Sequence, residues 1–115
     1  EQVLVIGEGE SYLAAVAVLG ADAWRALAKR FSLDADAADS LRHEKLHAAL
    51  LKDIKGHLKD FPGYAKIRRL ILTLDPWTVD NGLLTPTLKV KRARVLEKFA
   101  DEVRVLYENG PVGRS

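Results

Sequence analysis

The chain reads as an α+β domain: a small, mostly antiparallel sheet with helices packed on it, including a long helical insertion. Three observations point there. Two apolar runs flank a glycine-bearing turn near the N-terminus. From Leu46 onward, aliphatic residues recur every fourth position. Near the C-terminus a short alternating run leads through a basic loop into an amphipathic segment. The predicted element order is β-β-α-α-β-loop-α.

"QVLVIGEGESYLAAVAVLG" predicts a hairpin. Val3 to Ile6 form one strand, Gly7 and Gly9 serve the turn, and Tyr12 to Leu19 pair back. Both strands are apolar on successive residues, which calls for cover on both faces. Asp22 is placed to cap a helix in which Trp24, Leu27, Ala28 and Phe31 share a face. A second helix is expected from about Asp39 to Asp60, with Leu46, Leu50, Ile54, Leu58 and Phe61 in one stripe and Pro62-Gly63 as its stop. In "IRRLILTLD", Leu70, Leu72 and Leu74 alternate against Ile71 and Thr73, a strand closed by Asp75 and Pro76. The closing helix runs from about Lys91 to Tyr107, burying Val95, Phe99, Val103 and Leu106 or Tyr107. Residues 109–115 have the glycines and proline of a frayed tail.

Bulk properties narrow the function. A chain of 115 residues is one domain by size, residues 1–115, and short for an enzyme with its own deep cleft. Eighteen basic against sixteen acidic residues is too even a balance for general nucleic-acid binding. The absence of cysteine excludes thiol catalysis, thiolate metal sites and disulfides. "YLAAVAVLGA" has about half the length of a membrane span. With no basic leader ahead of an apolar run, no export is indicated, and a cytoplasmic location is expected. The chain opens mid-strand without a methionine, like a piece of a longer protein.

Four features carry candidate chemistry. "HEKLH" puts His43 and His47 at i and i+4 with Glu44 between, the spacing of zinc proteases. His57 lies a further ten residues on, about 15 Å of helix, so one metal cannot collect it. A solvated helix face is the better reading, and no metal site is expected. "GEGES" lies between strands rather than before a helix, which makes it a hairpin turn and not a dinucleotide fingerprint. Trp77 reads as an amphipathic residue half-covering an edge. Lys89, Lys91, Arg92 and Arg94 form the densest cationic group, at a helix start where positive charge opposes the macrodipole. "DNGLLTPT", with Thr85, Pro86 and Thr87 at its end, supplies the turn that aims Lys89 outward. A projecting lysine on a stiffened loop suits the stabilisation of a transient anion.

The stretch "FPGYAKIRRLILTLDPWTVDNGLLTPTLKVKRARVLEKFADEVRVLYE" resembles the C-terminal end of long-chain acyl-CoA synthetases, in the adenylate-forming (AMP-binding) superfamily. That family carries "ENGLLTPTxKxKR" between a strand and a closing helix ending near "LY". "QVLVIGEGESYLAAVAVL" is similar to the hairpin that opens the family's small C-terminal lid. The helical stretch between is similar in type only.

The resemblance implies a concrete function. Such enzymes use ATP and Mg²⁺ to turn a fatty acid into an acyl-adenylate, releasing pyrophosphate, and then pass the acyl group to coenzyme A. A large N-terminal domain of the same polypeptide holds the substrates, and the lid takes a different orientation for each half-reaction. In the first, a lysine of the C-terminal loop enters the site. The position that matches it is Lys89, with Leu88 on the neighbouring family glycine and Lys91 as the fallback. The family's hinge, phosphate loop and magnesium ligand would lie upstream of Glu1. The chain alone is therefore expected to be inactive, with no bound cofactor. Attachment to a membrane surface stays open for the full-length enzyme. Two alternatives also stand: the lid of a fatty-acyl–AMP ligase or other acid-activating enzyme, and a non-enzymatic module binding an acidic partner through Lys89 to Arg94.

Overall fold

A computed structural model of the chain describes residues 2–109. Strand β1 (Gln2–Ile6) pairs antiparallel with β2 (Leu13–Val18), Gln2 opposite Val18 and Ile6 opposite Ala14. Gly7 and Gly9 turn the hairpin at φ +104 and +86, values that suit glycine. A Cβ on Gly7 would collide with the Tyr107 hydroxyl, so this glycine also makes room for a contact from the far end of the chain.

From β2 the chain crosses through helix α1 (Ala21–Arg30), a 3₁₀ turn (Ala38–Arg42) and helix α2 (Glu44–His57) before it returns as β3 (Ile67–Thr73). That crossover lets β3 lie parallel to β2, with Ala15 opposite Leu70 and Val18 opposite Thr73. The sheet, in order β1-β2-β3, is thus mixed: the α+β class holds, and the expected antiparallel character belongs to the hairpin alone. Helices α3 (Arg92–Lys98) and α4 (Ala100–Asn109) complete the described chain.

Both faces of the sheet are covered. Ala14, Val16 and Val18 pack with Ile71, Trp77, Leu83, Leu84, Val95, Phe99 and Leu106. Ala15 and Leu19 face Trp24, Ala28, Leu46, Leu50, Ile67 and Leu70 on the other side. Period-two alternation along β2 divides the core between the two layers of helix.

Several elements differ from expectation. Gly20 stands at the N-cap of α1 without a side-chain bond, and Asp22 lies in the first turn instead. The second helix begins at Glu44, because Ser40 Oγ bonds Asp34 O at 2.6 Å and holds the preceding residues in the tighter turn. Its stripe is graded: Leu46 and Leu50 are buried, Ile54 and Leu58 half-buried, and Phe61 exposed. The closing helix has a joint at Phe99, although Phe99 N–H still bonds Val95 O and Val103 N–H bonds Phe99 O. Of the expected frayed tail, residues 110–115 lie outside the described residues, and Asn109 ends α4.

The C-terminal helices are fastened to the hairpin by two tyrosines. Tyr12 Oη donates to Leu106 O at 3.2 Å, and Tyr107 Oη donates to Tyr12 O at 3.0 Å. Burial, with Tyr12 and Glu10 nearby, pushes the Tyr107 hydroxyl up to about 12. It remains a neutral donor through the ordinary pH range.

The graded stripe sets a test. Leu46→Ala, at a fully buried site, is expected to lower unfolding free energy by about 2–5 kcal/mol. Phe61→Ala is expected to cost about 1 kcal/mol or less. Urea titration of both variants checks the ordering, and equal losses would contradict it.

Candidate functional site

The basic loop is built on the run between β3 and α3. After Thr73 the chain turns at Pro76 and buries Trp77, only 2% exposed, in the layer beneath α3 and α4. This corrects the half-covered edge residue expected there. The side chain of Gln2 brackets its backbone, accepting from Trp77 N–H at 2.7 Å and donating to Trp77 O at 2.9 Å. The indole Nε1 is buried with no partner among the described residues. Trp77 is therefore an anchor, closed to any ligand that would stack on it.

Asn81 then gathers the turn. Its Oδ1 accepts from Thr78 N–H and Leu83 N–H, its Nδ2 donates to Pro76 O, and its own N–H donates to Thr78 Oγ1. Gly82 follows at φ +79, where a left-handed residue is required. Asparagine–glycine marked a turn in the sequence. Nothing in the dipeptide revealed that one amide would satisfy three backbone groups.

Leu83 and Leu84 bury themselves and start a two-stranded finger. Leu84 bridges Val90 antiparallel, and Lys91 N–H bonds Leu83 O at 2.8 Å. At the tip, Leu88 N–H donates to Thr85 O and Thr85 N–H donates to Lys89 O, each at 2.8 Å. Between them Pro86, Thr87 and Leu88 form a three-residue hairpin loop. Proline's fixed φ suits the first position of such a turn, and a left-handed residue closes it. That residue is Leu88, at φ +64. For a residue other than glycine this conformation costs roughly 1–2 kcal/mol.

Thr85 is the clamp. Its Oγ1 accepts from Lys89 N–H at 3.0 Å and lies 3.1 Å from Thr87 Oγ1. Both backbone groups of Lys89 are thereby held by one residue, while its side chain is exposed. Among the described residues no carboxylate pairs with Lys89 or Lys91. Lys89 stands at the finger's tip, and Lys91 at its base as the N-cap of α3. Val90, between them, packs inward on the core.

The cationic group does not act as one patch. Arg92 is half-buried; its Nη1 donates to Val5 O at 2.6 Å and its Nη2 pairs with Glu8 at 2.9 Å. It braces the base of the finger against the hairpin. Arg94 lies apart, lining a shallow cleft of about 250 Å³ with Asn81, Glu97 and Lys98. Four neighbouring charges in the sequence carry no local sign that one of them serves a carbonyl 87 residues away.

The histidine pair is likewise not the solvated face expected. His43 and His47 are half-buried, since the 3₁₀ turn folds over the start of α2. His47 Nε2 donates to Leu41 O at 2.6 Å. Burial holds its pKa below the ordinary value, the Leu41 bond opposes that, and the Arg69 charge adds to it. Among the described residues no three His, Asp or Glu side chains gather as a metal cluster. No helix among them is long and apolar enough to cross a membrane.

No family model matches the chain. Over 71 residues it is 41% identical to the peroxisomal acyl-CoA ligase 891 of Penicillium brevicompactum, a match covering 60% of this chain and 10% of that protein. It is 31% identical over 114 residues to long-chain-fatty-acid–CoA ligase 5 of Mus musculus, covering 94% of this chain and 16% of the relative. The chain thus spans only 10% and 16% of the length of these two relatives. In structure it is similar to the adenylation domain of a carboxylic acid reductase from Segniliparus rugosus, solved with AMP and a carboxylic acid. There the TM-score is 0.67 at 24% identity, over 94% of this chain and 16% of that one. The corresponding domain from Mycobacterium chelonae gives 0.64 at 25% identity, over 93% of this chain and 15% of that one. The α+β architecture of sheet and four helices matches the C-terminal domain of adenylate-forming enzymes.

His47 links stability to pH. Its folded pKa lies below the unfolded value near 6.5, so the stability it contributes is present above pH 6.5 and lost as pH falls through the folded pKa. Denaturation midpoints are expected to fall between pH 7.5 and 5, and His47→Gln to flatten that fall. An unchanged slope in the variant would place the effect on other groups.

Proposed function

We propose that this chain, a relative of acyl-CoA ligases, is the C-terminal lid domain of a long-chain fatty-acid–CoA ligase of the adenylate-forming superfamily. On this reading residues 1–115 form one lid, and a larger N-terminal domain of the same polypeptide holds the fatty acid, ATP, Mg²⁺ and coenzyme A. The observation that carries the reading is the finger at residues 84–90. It presents one exposed lysine, unpaired among the described residues, whose backbone is tied on both sides, in a chain akin to acid-activating ligases.

The chemistry that Lys89 would serve is the first half-reaction. A carboxylate oxygen attacks the α-phosphorus of ATP, and the bond to the departing pyrophosphate breaks. Two anions must meet for that to happen. An ammonium between them offsets their repulsion, and it acts most strongly when its backbone needs no reorganisation on arrival. A lysine suits the task, because its compact charge sits on a long stem and can reach past the finger's tip. Thr85 holds both sides of the Lys89 backbone, Pro86 stiffens the turn, and Thr87 bonds with the clamp hydroxyl. Lys91, at the base, is worse placed to enter another domain. The rival reading, a surface patch for an acidic partner, is weakened by Arg92, which is already engaged with Val5 and Glu8.

In the full-length ligase, Lys89→Ala is expected to slow acyl-adenylate formation by about 10²–10³, the scale for losing one preorganised electrostatic contact. Thioester formation from pre-made acyl-adenylate should be nearly unchanged, because the lid then takes its other orientation. Lys91→Ala should affect either step much less. Measuring the half-reactions separately decides: an equal fall in both for Lys89→Ala would make the lysine structural. A selective loss in Lys91→Ala would move the role two residues on. The 115-residue chain alone should show no ATP–pyrophosphate exchange.

A further inference from the structure

Leu88 is the least economical residue of the finger. At 69% exposure it is the most exposed large hydrophobic side chain among the described residues, and it stands at φ +64. Among the described residues only Ser32 shares a positive φ without being glycine. Glycine would adopt this conformation freely, and asparagine with little strain. Leucine strains the turn and leaves apolar surface in water, and the chain itself offers it no core. A side chain held in such a conformation at a functional tip points to use outside the chain.

We propose that Leu88 is a docking contact for the large domain. When Lys89 occupies the adenylation site, the Leu88 side chain seats against apolar side chains at the mouth of the acid-binding pocket and holds the lysine in register. This rests on the adenylation reading of Lys89. The partner's chemistry follows from position. Consecutive Cα atoms are about 3.8 Å apart, so Leu88 travels with Lys89 into whatever the lysine enters. The acid whose carboxylate meets Lys89 is aliphatic, so the surface just beyond the carboxylate has to be apolar. Leu88 has no polar group to offer any other kind of surface. The tied loop fixes its place: the Leu88 N–H bonds Thr85 O, and the next N–H bonds Thr85 Oγ1. Leu88 is thus a positioning residue, and the ammonium beside it does the chemistry.

The test uses the full-length ligase with Leu88→Gly, Leu88→Asn and Leu88→Met, and with Lys89→Ala as reference. Pyrophosphate release is measured with palmitate and ATP in the absence of coenzyme A, and thioester formation from pre-made palmitoyl-adenylate. Glycine and asparagine relieve the backbone and remove the apolar contact, so both should lower the adenylation rate by about 10-fold or more, the equivalent of one buried leucine. Methionine should restore most of it. The thioester step should change little in any of them, and thermal midpoints for glycine and asparagine should be unchanged or higher. Full adenylation activity in Leu88→Asn, with Lys89→Ala still selectively slow, would overturn the docking role and leave the lysine reading standing. If Lys89→Ala leaves adenylation intact, both fall together. A lowered thermal midpoint with equal losses in both half-reactions would make Leu88 a structural residue and overturn the proposal.

Discussion

Everything in this molecule hangs on β2 being buried on both faces. Six consecutive residues, Ala14 to Leu19, are buried; the side chains of Ala14, Val16 and Val18 pack into one layer, and those of Ala15 and Leu19 into the other. Three of the six are alanines, which lets both layers approach the strand closely. One layer contains α1 and α2. The other contains Trp77, the two leucines that start the finger, and the C-terminal helices. Burial of each larger side chain in either layer contributes about 1.5–3 kcal/mol, so neither layer can be lost without exposing half of the central strand. The finger is rooted in the second layer through Leu83 and Leu84, and its tip stands clear.

The finger's stiffness comes from two scales of bonding. Locally, Thr85 closes the tip and Asn81 gathers the turn beneath it. Over long range, Gln2 brackets Trp77 and Arg92 holds Val5 and Glu8. The local bonds set the shape of the loop, and the long-range ones set where it points. Together they hold the backbone of Lys89 in place while its side chain is exposed.

What was legible in the sequence divides along the same line. Periodicity reported local facts: the hairpin, the face of α1, and the burial of Leu46, Leu50, Val95 and Phe99. The basic finger was visible because proline and paired threonines mark a tight turn. Partners distant in the chain left no local signal. Trp77 looked amphipathic because its neighbours are proline and threonine, and its burial depends on helices some twenty residues further on. Arg92 looked like one charge among four, and its carbonyl partner on β1 could not be inferred from spacing. The histidines looked solvated because a helix drawn alone gives no hint of the 3₁₀ turn folded over it. The parallel placement of β3 depends on how the intervening helices cross the sheet, which alternation along one strand cannot report. At the candidate site, the run of proline, threonines and lysine reads as a basic turn, and the structure places Lys89 at its tip. The threonine clamp and the left-handed Leu88 arise only in the folded loop.

The ties between the hairpin and the C-terminal third span 75 to 95 residues. Ordering so long a loop has an entropic cost that short-range contacts do not incur. The β1–β2 hairpin can close through local contacts, whereas Arg92, Leu106 and Tyr107 reach it only once the residues between are in place. Until then Val5 O lacks its guanidinium and the space kept by Gly7 stands empty. The placement of the finger therefore depends on contacts that neither the hairpin nor the C-terminal helices can make alone.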